Sequence, residues 1–244
     1  MYDFANSGYT TVVITAVFNA YFVVEVAGNA PWATFAWTSA LAVSYALIIV
    51  TAPVLGAYAD ARAAKKSLLA ATTVGCVLFT AALALTDRGD VALAFALVVL
   101  SNFFFGSGEN LIAAFLPELA REDALGRVSG WGWSLGYIGG LASLGACLAY
   151  VSVAQAHGAP ATEFVPGTML ITAAIFALAS LPTFLLLRER AVPLAAPEAS
   201  GMRTAFARLG QTLRHAQRYA DLRRFLVCLV FYQAGIQTVV ALAA

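Results

Sequence analysis

The chain has 244 residues, of which 61% are hydrophobic and only 11% charged. Soluble domains carry about 25% charged residues, so this composition excludes a water-soluble enzyme or binding module. A net charge of +1 gives no footing for nucleic acid as a partner.

Apolar residues gather into seven stretches, at 8–26, 33–58, 67–85, 91–116, 128–153, 166–187 and 225–244. Each is near or above the roughly 20 residues that a helix needs to cross a hydrocarbon core. The expected fold class is therefore an all-α membrane protein embedded in a lipid bilayer. The first stretch lacks a basic leader and follows Asp3, which is unlike a cleaved secretory signal. With alternate connections on alternate sides, one side collects Arg62, Lys65, Lys66, Arg121, Arg127, Arg188, Arg190, Arg203, Arg208, Arg214, Arg218, Arg223 and Arg224. The other side holds Arg88 alone. Cytoplasmic loops carry the excess of Lys and Arg, which places the first side and the N-terminus in the cytoplasm. Arg predominates over Lys and Ala is abundant, a bias of GC-rich bacterial genomes, so a bacterial cytoplasmic membrane is expected.

Polar residues inside the stretches are the candidates for function, because a charge or amide in hydrocarbon is costly and faces a bundle interior or a water-filled cavity. On the first stretch Thr11, Thr15, Asn19 and Phe22 form a stripe, and Glu25 at its outer end is expected to reach water. Asp3 and Asn6 have two readings: cap and dipole partner of a helix starting near Gly8, or residues inside a longer helix near a cavity mouth. The second stretch ends in Gly56, Asp60 and Arg62, with Lys65 and Lys66 just beyond; Gly56 would let another helix approach closely. On the fourth, Asn102, Gly106, Glu109, Asn110 and Ala113 fall at i, i+4, i+7, i+8 and i+11, one helical face. Glu109 lies seven residues before Leu116, about 10 Å along a helix from the end of its span. It is a candidate for proton coupling or substrate binding; the structural alternative pairs it with Arg127, Asn6 or Asn19. Phe103, Phe104 and Phe105 are expected to face lipid or packing partners. Gly132, Gly136 and Gly140 repeat every fourth residue on the fifth stretch and predict a close helix–helix seam, within the bundle or against a second half. On the seventh, Gln233 and Gln237 stand one turn apart. Cys76, Cys147 and Cys228 fit no metal motif and read as small buried hydrophobes.

The organisation is six spans, a long connection and a seventh span: 1–187, 188–222 and 223–244. The connection opens with Arg188-Glu189-Arg190 and a linker containing Pro193, Pro197 and Gly201. From Met202 to about Ala220 it becomes a basic amphipathic helix, with Phe206, Leu209 and Leu213 on its apolar side. Such a helix suits an anionic leaflet, with partner binding as the alternative.

The opening Tyr2-Asp3-Phe4-Ala5-Asn6-Ser7-Gly8-Tyr9, running into Thr15-Ala16-Val17-Phe18 and Tyr21-Phe22, resembles that of the vacuole effluxer branch of the major facilitator superfamily, a group that includes autophagy-related and bacterial members. Pro53-Val54-Leu55-Gly56-Ala57-Tyr58-Ala59-Asp60 with Lys65-Lys66 is similar to the superfamily's loop between helices 2 and 3. Phe115-Leu116-Pro117-Glu118-Leu119-Ala120 and Gly136-Tyr137-Ile138-Gly139-Gly140 resemble the end of helix 4 and helix 5 of the branch. The resemblance implies a major facilitator N-terminal six-helix bundle plus helix 7, truncated before a missing C-terminal half. It further implies cavity-lining helices 1, 4 and 7, hence the cavity residues Asn19, Asn102, Glu109, Asn110, Gln233 and Gln237. A conformational latch of Gly56, Asp60, Arg62 and Lys65 is implied as well, and Tyr2, Asp3 and Asn6 carry the opening motif. Ala61 and Ala63 depart from the latch pattern, where a basic residue and a Gly are common, which bears on the tight turn.

The expected function is secondary active transport of a small solute by alternating access, in the direction of efflux and coupled to protons. Amino acids are the cargo class that the resemblance suggests. The alternative is a complete half-transporter, or a seven-helix protein acting through a partner without transporting. A retinal protein is excluded, since Lys65 and Lys66 are the only lysines and both lie in a loop. His157 and His215 lie outside the spans and no Ser–His or paired Asp set lies within them, so neither an enzyme nor a cofactor or metal centre is expected.

Overall fold

Apolar runs of this length can satisfy their backbone in hydrocarbon only as helices or closed barrels, and here they form helices. The structure, a computed structural model, describes residues 1–189, 202–216 and 219–242; for 122, 202–205, 208, 213, 216, 241 and 242 it describes the backbone alone. Among the described residues, six helices are long and apolar enough to cross a membrane: α1 Tyr2–Val26, α2 Ala33–Arg62, α3 Lys65–Leu85, α4 Val91–Leu119, α5 Leu125–Ala156 and α6 Ala161–Leu186. Two more follow, α7 Met202–Ala216 and α8 Ala220–Leu242. The Pro/Gly linker, Arg190 and Arg218 lie outside the described residues, as do the side chains of Arg203, Arg208 and Leu213.

Helix α1 is the hub. It packs on α5 and α6, while α2 packs on α4, α3 on α4 and α6, and α5 on α6. Its buried face carries Tyr9, Val12, Val13, Ile14, Phe18 and Phe22. Tyr9 stacks on Phe105 with ring centroids 4.5 Å apart, and its hydroxyl pairs with Ser101 Oγ at 2.9 Å. Phe18 and Phe22 both pack on Trp37 of α2. Helix α1 begins at Tyr2 with Met1 at its N-cap, so Asp3 and Asn6 lie inside a helix rather than capping one at Gly8.

Helix α1 is also irregular. Thr10–Ala16 and Phe22–Val26 are π-helical, with Val17 N–H donating to Val12 O and Ala27 N–H to Phe22 O. A π turn holds an extra residue, so each one rotates the following side chains out of a 3.6-residue register.

The connection between α2 and α3 is tight despite lacking glycine. Ala63 stands in the left-handed region at φ 48°, and Ala64 N–H donates 3.0 Å to Ala59 O. That is a Schellman closure, in which an alanine costs about 1–2 kcal/mol. The turn that Ala63 left open is therefore made. The start of α3 gains a remote cap: Glu189, beyond α6, accepts the N–H groups of Lys65 and Lys66 at 2.7 and 3.1 Å. A carboxylate at a helix N-terminus satisfies orphan donors and opposes the helix dipole. At the far end Glu25 does not simply reach water; it pairs with Arg88, the lone basic residue there, at 2.9 Å.

Cys76 and Cys147 are buried as expected, whereas Cys228 is exposed on α8. The three phenylalanines are packed inside the bundle or against it: Phe104 stacks on Phe79 at 5.5 Å and on the backbone of Gly75, and Phe105 on Tyr9. Helix α7 rests against α2.

Candidate functional site

The glycines of α5 set the site. Cβ atoms at Gly132, Gly136, Gly139 and Gly140 would each run into α1: into the Asp3 carboxylate, into Ser7 Oγ, into the Phe4 backbone and towards Thr11 Oγ1. The seam lies within the bundle, and its partner is the opening motif. Close approach of the two backbones brings Asp3 and Asn6 beside the residues that flank the glycines.

Two adjoining cavities, about 590 and 490 Å³, lie along this seam and share Asp3, Asn6, Glu109 and Trp133. The first runs to Leu119 and Leu187 at the end that bears the basic loops, and Met1 and Tyr2 also border it. The second continues past Thr10, Thr11 and Tyr137 to Ile236 and Val240 of α8. Asn6 is buried, 6% exposed, and its Oδ1 has no hydrogen-bond partner. Glu109 makes no ion pair among the described residues, so the alternative of a bond to Arg127 is not realised. Tyr2 turns away from the cavity at its hydroxyl, which pairs with Thr73 Oγ1 at 2.9 Å.

The polar face expected on the fourth span divides in two. Asn102 is fully buried and donates to Ser44 Oγ of α2; it lines neither cavity. A Cβ at Gly106 would meet Ile48 of α2. Asn110 borders a separate crevice of about 150 Å³ with Gly56, Asp60, Lys65 and Ser107. Asn102, Gly106 and Asn110 follow the i, i+4, i+8 line that packs α4 on α2. Glu109, one residue and about 100° away from Asn110, faces the seam. Asn19 is likewise not among the residues lining these cavities. It is 6% exposed and lies beyond the first π turn, which carries it off the line of Thr11. On α8, Gln237 Oε1 accepts from Tyr45 OH at 3.4 Å and Gln233 is exposed; the cavity-lining positions of α8 are Ile236 and Val240.

The basic end carries a second cluster. Lys65 Nζ sits 2.9 Å from Glu118 Oε1 at the end of α4 and 3.5 Å from Asp60 Oδ1. The Lys65 and Glu118 side chains are only 14% and 17% exposed. Arg62 does not join the cluster. It folds back on its own helix, with Nη1 3.1 Å from Tyr58 OH and the guanidinium 4.7 Å from the ring centroid. Gly56 borders the crevice, where an added Cβ would meet nothing. Lys66 Nζ donates 2.7 Å to Leu187 O, so α2, α3, α4 and the end of α6 are tied at one point.

The sequence assigns no site role to Trp133, Tyr137, Glu118 or Glu189, although Tyr137 and Glu118 stand in the motifs of the family resemblance. The aromatic pair had a signal: Gly132-Trp133 and Gly136-Tyr137 repeat at a spacing of four, and a glycine seam puts the next residue beside it. Nothing local marks Glu189, which lies 124 residues from Lys65.

A bundle of apolar helices around a polar cleft that no described cation neutralises defines a multi-pass membrane protein with an internal cavity. The family model described as vacuole effluxer Atg22 like matches residues 22–244, and the chain belongs to that family, a branch of major facilitator transporters rather than enzymes. It is similar throughout its length to the uncharacterized MFS-type transporter YxiO of Bacillus subtilis (strain 168), at 29% identity over 248 residues. The alignment takes in 100% of this chain and 58% of that relative, so the chain spans well under two thirds of it. No solved structure matches.

Proposed function

We propose that the chain is the N-terminal part of a secondary active transporter that moves a small solute by alternating access. Residues 1–187 are the first six-helix domain, 188–222 the cytoplasmic linker, and 223–244 the helix that opens a second domain. The observation that carries this is the cavity between α1, α4, α5 and α8, which Asp3, Asn6 and Glu109 line inside a bundle of membrane-length helices. Major facilitators place their site at the interface between two halves, and a cavity open on one side of a six-helix bundle suits such an arrangement. The excess of Lys and Arg on one side supports a cytoplasmic N-terminus, and a bacterial cytoplasmic membrane is the proposed location. Efflux is the proposed direction, with amino acids among the candidate cargoes. Glu109 is the proposed proton-coupling carboxylate: it lies in the cavity and no described cation neutralises it. The lysine cluster at the basic end, with Asp60 at its rim, is the proposed latch that holds one state of the cycle.

Proteoliposomes holding the protein together with its second half test this. Loaded with radiolabelled amino acids and amines, they are expected to release at least one of them faster than empty vesicles, and faster still under a proton gradient. The 244-residue chain alone is expected to give no flux. Glu109→Gln keeps the shape and removes the charge, and is expected to cut flux about tenfold, the effect of about 1.4 kcal/mol. Flux that ignores Glu109→Gln contradicts the role of that residue; release no faster than from empty vesicles contradicts transport.

A further inference from the structure

We infer that the cavity of about 490 Å³ along the α1–α5 seam binds an organic cation: an ammonium group carried on an apolar body. This rests on the transport reading and narrows its cargo. Four observations converge. Asp3 and Glu109 both line the cavity, and among the described residues neither is in an ion pair. Among the described residues no Lys, Arg or His lines it, so the two carboxylates have no described cation on this wall. Asn6 Oδ1 is a buried acceptor with no donor, on a side chain that also lines the cavity. Trp133 and Tyr137 stand at its edge, edge to face with centroids 6.1 Å apart, and both rings are two-thirds open, 67% exposed.

Each of these answers a different part of an ammonium ligand. The carboxylates supply countercharge, the amide oxygen accepts one N–H, and the faces of Trp and Tyr attract a cation through their quadrupoles. Leu141, Leu144, Ile236 and Val240 give the rest of the wall an aliphatic side that suits an apolar body, beside the hydroxyls of Ser7, Thr10 and Thr11. The volume falls within the roughly 300–1,000 Å³ of small-molecule sites. An anion would meet two carboxylates and no donor cation. A free amino acid would bring a third carboxylate to a wall whose described residues include no cation to offset it, so the ligand carries net positive charge.

Three probes of one shape separate the possibilities: 2-phenylethylammonium, phenylacetamide and phenylacetate, titrated calorimetrically into the protein in nanodiscs. The expected result is binding of the ammonium at least tenfold tighter than the amide, and none of the phenylacetate. Asp3→Asn and Glu109→Gln are each expected to erase most of that preference, and Trp133→Leu, at an exposed ring, to weaken ammonium binding severalfold. Glu163→Gln, an exposed acid in the first turn of α6, is expected to leave it unchanged. Equal binding of ammonium and amide, a preference for phenylacetate, no binding of any probe, or a preference that survives both carboxylate changes overturns the inference. Vesicles that carry a neutral or anionic solute while failing this test would leave transport standing and remove only the cation.

Discussion

Gly139→Ala is expected to destabilise the helix bundle by about 3 kcal/mol, at the upper end of what one added methyl costs a packed interior. The reason is what the methyl would strike. At Gly139 it meets the carbonyl oxygen and Cα of Phe4, which are backbone atoms and have no rotamer to escape into. Relief requires α1 to move off α5, and with it the Asp3–Asn6 wall of the cavity. Gly145, on the same helix, is the control: an added Cβ there meets nothing within 4 Å. Gly145→Ala is expected to be neutral or slightly stabilising, since alanine is the better helix former. Unfolding of both variants in mixed detergent micelles by rising SDS separates the two. Equal midpoints would mean that the seam is not packed as described.

Lys65→Met is expected to cost about 2 kcal/mol. The lysine is the common partner of Asp60 and Glu118, and the Lys65–Glu118 pair is largely shielded from water. Breaking a shielded pair from one side costs far more than losing an exposed one, because a carboxylate is left in a poor solvent. The same logic predicts partial recovery in Lys65→Met with Glu118→Leu, as replacing both members by apolar groups removes the carboxylate that has lost its lysine. Arg62→Met is expected to cost less than 0.5 kcal/mol, since the exposed Arg62 folds back on Tyr58 of its own helix and, among the described residues, joins no ion pair. Thermal unfolding of the three variants in detergent checks the order. Equal losses for Lys65→Met and Arg62→Met would show a set of topogenic charges rather than a structural knot.

The sequence yields the spans well and the site less well, for identifiable reasons. Length and hydrophobicity act over whole helices, so the six crossing helices and the partly exposed basic helix α7 were legible. The glycine spacing on α5 showed that a seam exists, because only small residues allow such approach. It did not show the partner, since spacing on one helix carries no information about its neighbour. The cavity stripe failed where its assumption failed. Asn19 was projected with 3.6 residues per turn across Thr10–Ala16, which is π-helical. Asn102 and Asn110 were read with Glu109 as one face, yet a polar line on a membrane helix serves packing as readily as a cavity, and these two face α2. Glu109 kept its place because no such line needed it. Glu189 could not be read at all, being a helix cap supplied from a distant part of the chain.

Transport through the α1–α5 seam requires that the cavity lined by Asp3, Asn6 and Glu109 holds water inside the membrane. Cys76 and Cys147 are buried, so replacing the exposed Cys228 by Ser leaves a quiet background. Into it go single cysteines at Thr10 and Glu109, which line the cavity, and at Leu178, a 67% exposed residue on α6 that lines neither of the two seam cavities. A charged, membrane-impermeant maleimide applied to reconstituted protein is expected to label the first two and spare the third. Labelling at Leu178→Cys with none at Thr10→Cys or Glu109→Cys would contradict a water-filled cavity at the α1–α5 seam.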